Sequence, residues 1–331
     1  MIGWWHRLWT RTEHPGALAG VRVLLACVVL VDLLRAGQLD LVVGIWGDVD
    51  AGGILDVVGR KRVPEIYQWL PPSPGTAWVL WGVAVGSSVA LLVGLGTRIA
   101  AVVLCLALAQ MALVLPAADR GIDMLLRNAL LVLACSRAGA TASVWARIRT
   151  GSFFGVVGGP APAWPRHLLV VQLVLLYWGA GSAKVASAWL PIGDHAALYL
   201  AMRDPHFARL SAETVAGLYP LTQLLTASTW LWEWSAPLLL LAYHYRDTRT
   251  RPGRVRAAFN RVGFVHLYLA LGVVFHVGTH LTMRLGIFPF AVLALYPAAI
   301  HPDEWARGCR ALLRGVRGDE CPSATAPGRT G

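Results

Sequence analysis

The chain has 331 residues, is 56% hydrophobic and only 14% charged, and carries a net charge of +11. A soluble domain carries about 25% charged residues, so this composition, with a mean hydropathy of +0.56, excludes an ordinary soluble protein. Its basic residues lie between apolar runs rather than along one stripe, which argues against nucleic acid as a partner.

The opening, MIGWWHRLWTRTEHPG, interleaves Trp4, Trp5 and Trp9 with Arg7 and Arg11 and reads as an interfacial segment over 1–16. It lacks the short apolar core and small-residue site of a cleavable signal peptide. Apolar runs follow at 17–36, 75–96, 98–116, 121–137, 166–189, 220–244, 259–282 and 284–300. A hydrocarbon core needs roughly 20 helical residues to cross, so 121–137 and 284–300 are short for the task. None of the runs shows the two-residue alternation of a barrel strand. The expected fold is therefore all-α: a polytopic integral membrane bundle of about eight transmembrane helices, with a transmembrane domain over 17–300.

Charge sets the expected orientation. On the side of the N-terminus lie 18 arginines, six of them in the run RDTRTRPGRVRAAFNR from Arg246 to Arg261, against eight basic residues on the other side. The positive-inside rule then places both termini in the cytoplasm of a bacterial-type plasma membrane. Two longer segments, 37–74 and 190–219, are expected outside as partly ordered caps. The remainder, 301–331, reads as a short cytoplasmic tail whose end, ECPSATAPGRTG, has a disordered composition.

Five cysteines at scattered spacings, three of them inside apolar runs, point away from a disulfide framework or a thiolate metal site. No metal is expected. The chain has 27 arginines and only two lysines, and one of these, Lys184, interrupts HLLVVQLVLLYWGAGSAKVASAWLP. An ionisable group inside a membrane costs roughly 2.5–3.5 kcal/mol and is a functional candidate by default. A desolvated lysine can accept a proton, which arginine cannot; the alternative is that Lys184 snorkels to the interface.

With the expected orientation, Asp32, Arg35, Asp123, Arg127, Lys184, His276, His280 and Arg284 come to a similar depth, towards the outer leaflet. The i,i+4 spacing of Asp123 with Arg127, and of His276 with His280, puts each pair on one helix face. The first pair reads as a structural ion pair or as part of a site. The second reads as packed histidines, a proton relay or half a metal site. Tyr177 and Gly181 share the face of Lys184. Arg22 and Glu233 are expected at other depths, with partners of their own.

Three stretches carry a family resemblance. YWGAGSAKVASAWLPIG, from Tyr177 to Gly193, resembles the vitamin K-dependent gamma-carboxylase family, whose pattern is matched here by Ala180, Gly181, Lys184, Trp189 and Gly193. LAGVRVLLACVVLVDLLR is similar to that family's first helix, with Arg22 early and Asp32 late. FHVGTHLTMRLGIFPF resembles its F-H-x(9)-G-x-F segment and puts His276 on an active-site histidine. In bacteria the same module is the horizontally transferred transmembrane (HTTM) domain. The chain departs from the carboxylase at the Asn-His pair, where Gly121 and Ile122 precede Asp123, and in lacking the large region that engages protein substrates.

The resemblance implies a membrane enzyme in which Lys184 is the base, His276 relays a proton, and a lipid-soluble, vitamin K-like quinol is the cofactor or substrate. Two other functions stay open. Asp123 or His276 could supply a proton to an isoprenoid, giving a terpene cyclase on the same scaffold. The chain could instead be a non-catalytic maturation or export factor with a secreted peptide as partner. Membrane lipids are expected neighbours in every case. A transporter is disfavoured, since no inverted repeat or pair of broken helices appears in the sequence.

Overall fold

A computed structural model describes residues 10–54, 56, 69–116 and 119–307. The expected interfacial tryptophans Trp4, Trp5 and Trp9 and the tail from 308 lie outside the described residues. Helix α1 spans Gly16–Gln38, α2 Leu41–Trp46, α3 Pro74–Val93, α4 Thr97–Val114 and α5 Gly121–Ala134. After α6 (Val144–Thr150) come α7 (Trp164–Ala183), α8 (Ala197–Arg203), α9 (Ala212–Gly217) and α10 (Tyr219–Trp234). The remaining helices are α11 (Leu238–Asp247), α12 (Arg254–Val262), α13 (Phe264–Thr282), α14 (Phe288–Leu293) and α15 (Tyr296–Ala299). One two-stranded antiparallel sheet, β1 (Thr12–Glu13) with β2 (Ala161–Pro162), is the only sheet among the described residues.

Among the described residues, four helices, α1, α3, α4 and α13, are long and apolar enough to cross a membrane. Their outward faces are apolar too. Only 22% of the most apolar stretch of α3 is buried, and 28% of that of α13. Water would penalise such a surface, whereas lipid tails would not.

Sequence and structure differ where a continuous apolar run hides a backbone break. The run 220–244 is two helices, α10 and α11, because Pro237 has no N–H to donate and ends the ladder near Ser235. The run 259–282 is divided at Gly263, which takes the left-handed conformation at φ 63° and separates the arginine-rich α12 from α13. The run 284–300 is broken into α14 and α15, each opening on a proline in its first turn. The fifth run was expected to continue to 189, but α7 stops at Ala183.

Helices α1, α3, α4 and α5 pack as one group, and α7, α10, α11 and α13 as another. Helices α1 and α7 touch each other and both meet α15, so these three join the groups. Fully buried Arg22 secures the first group from inside α1. Its guanidinium donates to the Leu91 carbonyl at 3.2 Å, in the last turn of α3, and to the Ala142 carbonyl. A cation is favoured there because a helix C-terminus presents unpaired carbonyls. Gly94 caps α3 at φ 74°, and a Cβ on it would collide with the Arg22 guanidinium and the Ser143 Cβ. Gly94→Ala is expected to destabilise the protein by more than about 1 kcal/mol, seen as a lower unfolding temperature in detergent.

At the end of the molecule holding β1, a network of charged groups ties segments distant in sequence. Glu13 and Arg166 form a buried bidentate pair at 2.6 and 3.0 Å, and Arg166 also donates to the Ala298 carbonyl at 3.2 Å. Burial outweighs Arg166 and raises the Glu13 carboxyl above its ordinary range. Arg11 pairs with Asp247 at 3.0 Å, while Glu304 receives Arg246 at 2.5 Å and His266 at 2.8 Å. His301 also lies 3.9 Å from the Asp247 carboxylate.

Candidate functional site

The sequence placed eight charged or histidine residues at one depth, and the structure gathers six of them into two places. The first lies at the end of α7. Small residues let α7 and α10 come close there: a Cβ on Gly181 would sit 3.1 Å from the Glu233 Cβ and 3.1 Å from the Trp234 nitrogen. Lys184 is the C-cap of α7, with φ −82° and ψ 64°, rather than a residue inside a helical span. Its amine forms an ion pair with the Glu233 carboxylate; 18% of the lysine side chain and 5% of the glutamate side chain are exposed. The same Nζ lies 4.5 Å from the ring centroid of Trp189, in the following 3-10 turn Ser187–Trp189. The expectation that Glu233 sits at another depth is therefore corrected. It is the partner of Lys184, because Gly181 lets the two helices meet.

Two turns before Lys184, Tyr177 faces the same interior. Its hydroxyl lies 2.8 Å from His276 Nε2 and 2.7 Å from the Tyr296 hydroxyl. Tyr177 has one proton, so it donates to one neighbour and accepts from the other. Gly272 makes room for this contact, since a Cβ there would overlap the Tyr296 hydroxyl. His276 is fully buried, and its Nδ1 has no hydrogen-bond partner among the described residues. Trp232, next to Glu233 in sequence, lies 4.5 Å from the Tyr177 ring and stacks on Tyr268 at 5.1 Å. The lysine–glutamate pair and the tyrosine–histidine chain thus stand two turns apart along α7.

The second place is a cavity of about 530 Å³ between α1, α2, α4 and α5. Asp32, Arg35, Asp119, Arg120, Asp123 and Arg127 all line it, whereas neither Lys184 nor His276 does. The expected Asp123–Arg127 pair is replaced by two others. Asp123 caps α5, accepting from the Arg120 backbone at 3.0 Å and from its guanidinium at 2.9 and 3.0 Å. Arg127 reaches back to Asp119 at 2.7 and 2.8 Å. The free N–H groups at a helix start draw Asp123 towards Arg120, leaving Arg127 to the residue before the helix. Bonding to Arg127 holds the Asp119 carboxyl below its ordinary range.

The last two expected members join neither cluster. His280 packs edge-on to Phe290 at 4.6 Å with its buried Nδ1 unpartnered among the described residues. Arg284 is exposed, and its backbone N–H donates to the Phe207 carbonyl at 2.9 Å. Sequence reasoning missed Asp119, Arg120, Tyr268 and Tyr296. Asp119 and Arg120 carried a signal, flanking the start of an apolar run beside Asp123. The two tyrosines carried none, since a tyrosine in an apolar run is ordinary core.

No protein-family model, curated protein or solved structure matches the chain.

Proposed function

We propose that the chain is an integral membrane enzyme of the vitamin K-dependent gamma-carboxylase-like, HTTM type, in which Lys184 takes a proton from a lipid-soluble quinol. In this reading it crosses the membrane eight times, through α1, α3, α4, α5, α7, α10 with α11, α13, and α14 with α15. Both termini are cytoplasmic, as the arginine asymmetry favours, and Lys184 lies towards the outer leaflet.

The observation that carries the proposal is the pairing of Lys184 with buried Glu233 beneath the face of Trp189. In this reading the lysine's proton passes to Glu233. With that proton on Glu233, Lys184 presents a lone pair; taking a proton from a quinol hydroxyl turns it into an ammonium beside the quinolate. Trp189 offers a flat apolar face next to the amine, which suits an aromatic ring. The hydrogen-bonded Tyr177–His276–Tyr296 chain lies two turns earlier along α7 and, in this reading, handles a further proton.

The test is turnover. Purified protein reconstituted with a reduced naphthoquinone or benzoquinone should consume the quinol only when dioxygen is supplied as the oxidant, giving the quinone epoxide and water, and a quinone should be recovered by mass spectrometry among the lipids that copurify. No consumption with either class would overturn the proposal.

A further inference from the structure

We infer that the cavity between α1, α2, α4 and α5 binds a phospholipid with an amine-bearing zwitterionic headgroup, its phosphate on Arg35 and its ammonium on Asp32. Of the six charged side chains lining this cavity, four are spent on each other in the two bidentate pairs, Arg120–Asp123 and Arg127–Asp119. What remains is one cation and one anion. The Arg35 side chain makes no hydrogen bond or ion pair among the described residues, and Asp32 reaches Arg120 only at 3.9 Å, with 45% of its side chain exposed. Residues three apart on a helix are surface neighbours, so Asp32 and Arg35 present opposite charges side by side in the last turns of α1.

The rest of the cavity matches the rest of such a lipid. Val29, Leu33, Trp46, Met111 and Leu126 supply apolar wall. Leu39 and Leu41, which also line it, are 57% and 40% exposed, and exposed Arg35 and half-exposed Asp32 open beside them, so the rim carries apolar surface and both charges together. Apolar wall beside a pair of opposite charges favours a ligand with an apolar body that carries both signs at its head. A purely anionic head would find no partner for Asp32, and a neutral one would leave both charges unused; neither matches the pair as well. The inference is independent of the proposed chemistry at Lys184, which does not line this cavity.

Native mass spectrometry of the full chain in detergent tests it, with phosphatidylethanolamine, phosphatidylglycerol and diacylglycerol of matched acyl chains as probes. Phosphatidylethanolamine is expected to form a one-to-one adduct about tenfold more tightly than phosphatidylglycerol, with diacylglycerol weakest, since one charge-assisted contact separates each step. Arg35→Gln should weaken phosphatidylethanolamine about tenfold, to the level of phosphatidylglycerol on the native chain, because the ammonium contact with Asp32 remains. Asp32→Asn should raise phosphatidylglycerol to equal it, a gain that a misfolded variant cannot produce. Equal binding of the two phospholipids by the native chain would overturn the inference, as would retention of the preference in both variants. Full displacement of the lipid by millimolar glycerophosphoethanolamine would identify a free zwitterion as the occupant and overturn the lipid.

Discussion

Replacing Lys184 with alanine is expected to lower quinol turnover by about 10²–10⁴-fold, the usual contribution of a positioned general base, and to lower the unfolding temperature as well, because buried Glu233 loses its partner. Alanine alone does not separate a base from a structural cation, because Glu233 would lose its partner in either case. Lys184→Arg does. Arginine retains the charge for Glu233 and the contact with Trp189 but holds no available lone pair, so as a base it should be as inactive as alanine. Recovery of turnover with arginine would remove Lys184 from the chemistry and leave it an anchor between α7 and α10. Glu233→Gln keeps the shape and one hydrogen bond while removing the carboxylate, and turnover should fall between native and Lys184→Ala.

Arg166→Ala should be the most destabilising single change at the other end of the molecule. The pair with Glu13 is nearly inaccessible, at 5% and 3% side-chain exposure, and removal of one partner strands a buried charge at a cost of about 3–5 kcal/mol. The pH dependence identifies the cause. Burial already raises the Glu13 carboxyl above its ordinary range, and loss of Arg166, which pulls the other way, raises it further. The folded variant therefore holds its proton at a pH where the unfolded chain has released it. Its stability should recover as pH falls through the raised value and decline as pH rises. Unfolding temperatures of native and variant protein between pH 4 and 8 would show the gap closing on the acid side; a constant gap would exclude Glu13 as the source.

How far the sequence could be read depended on the kind of signal. The first helices were legible nearly to the residue: 17–36 became Gly16–Gln38, and 98–116 became Thr97–Val114. There the apolar run and the hydrogen-bonded run coincide. Elsewhere they part. Between 220 and 244 hydropathy stays high across Pro237, and only the missing N–H breaks the ladder. Lys184 was visible as an isolated amine, yet its partner lies 49 residues away on another helix, and no local pattern links the two. The Asp123–Arg127 spacing misled for a related reason. A good i,i+4 pair was available, but the unpaired backbone at the helix start made a stronger claim on Asp123.

The scarcity of lysine and the stacking of one of them open a spectroscopic route to the site. Reductive methylation with ¹³C-formaldehyde leaves arginines untouched, so Lys184 would contribute one of two lysine side-chain signals in the whole chain. Its amine sits 4.5 Å from the Trp189 ring centre, within reach of the indole ring current. The methyl resonance should therefore appear upfield of an unstacked lysine and move when a ligand slides between amine and indole. That turns the stacked amine into a reporter of what occupies the space around it, readable before any substrate is known.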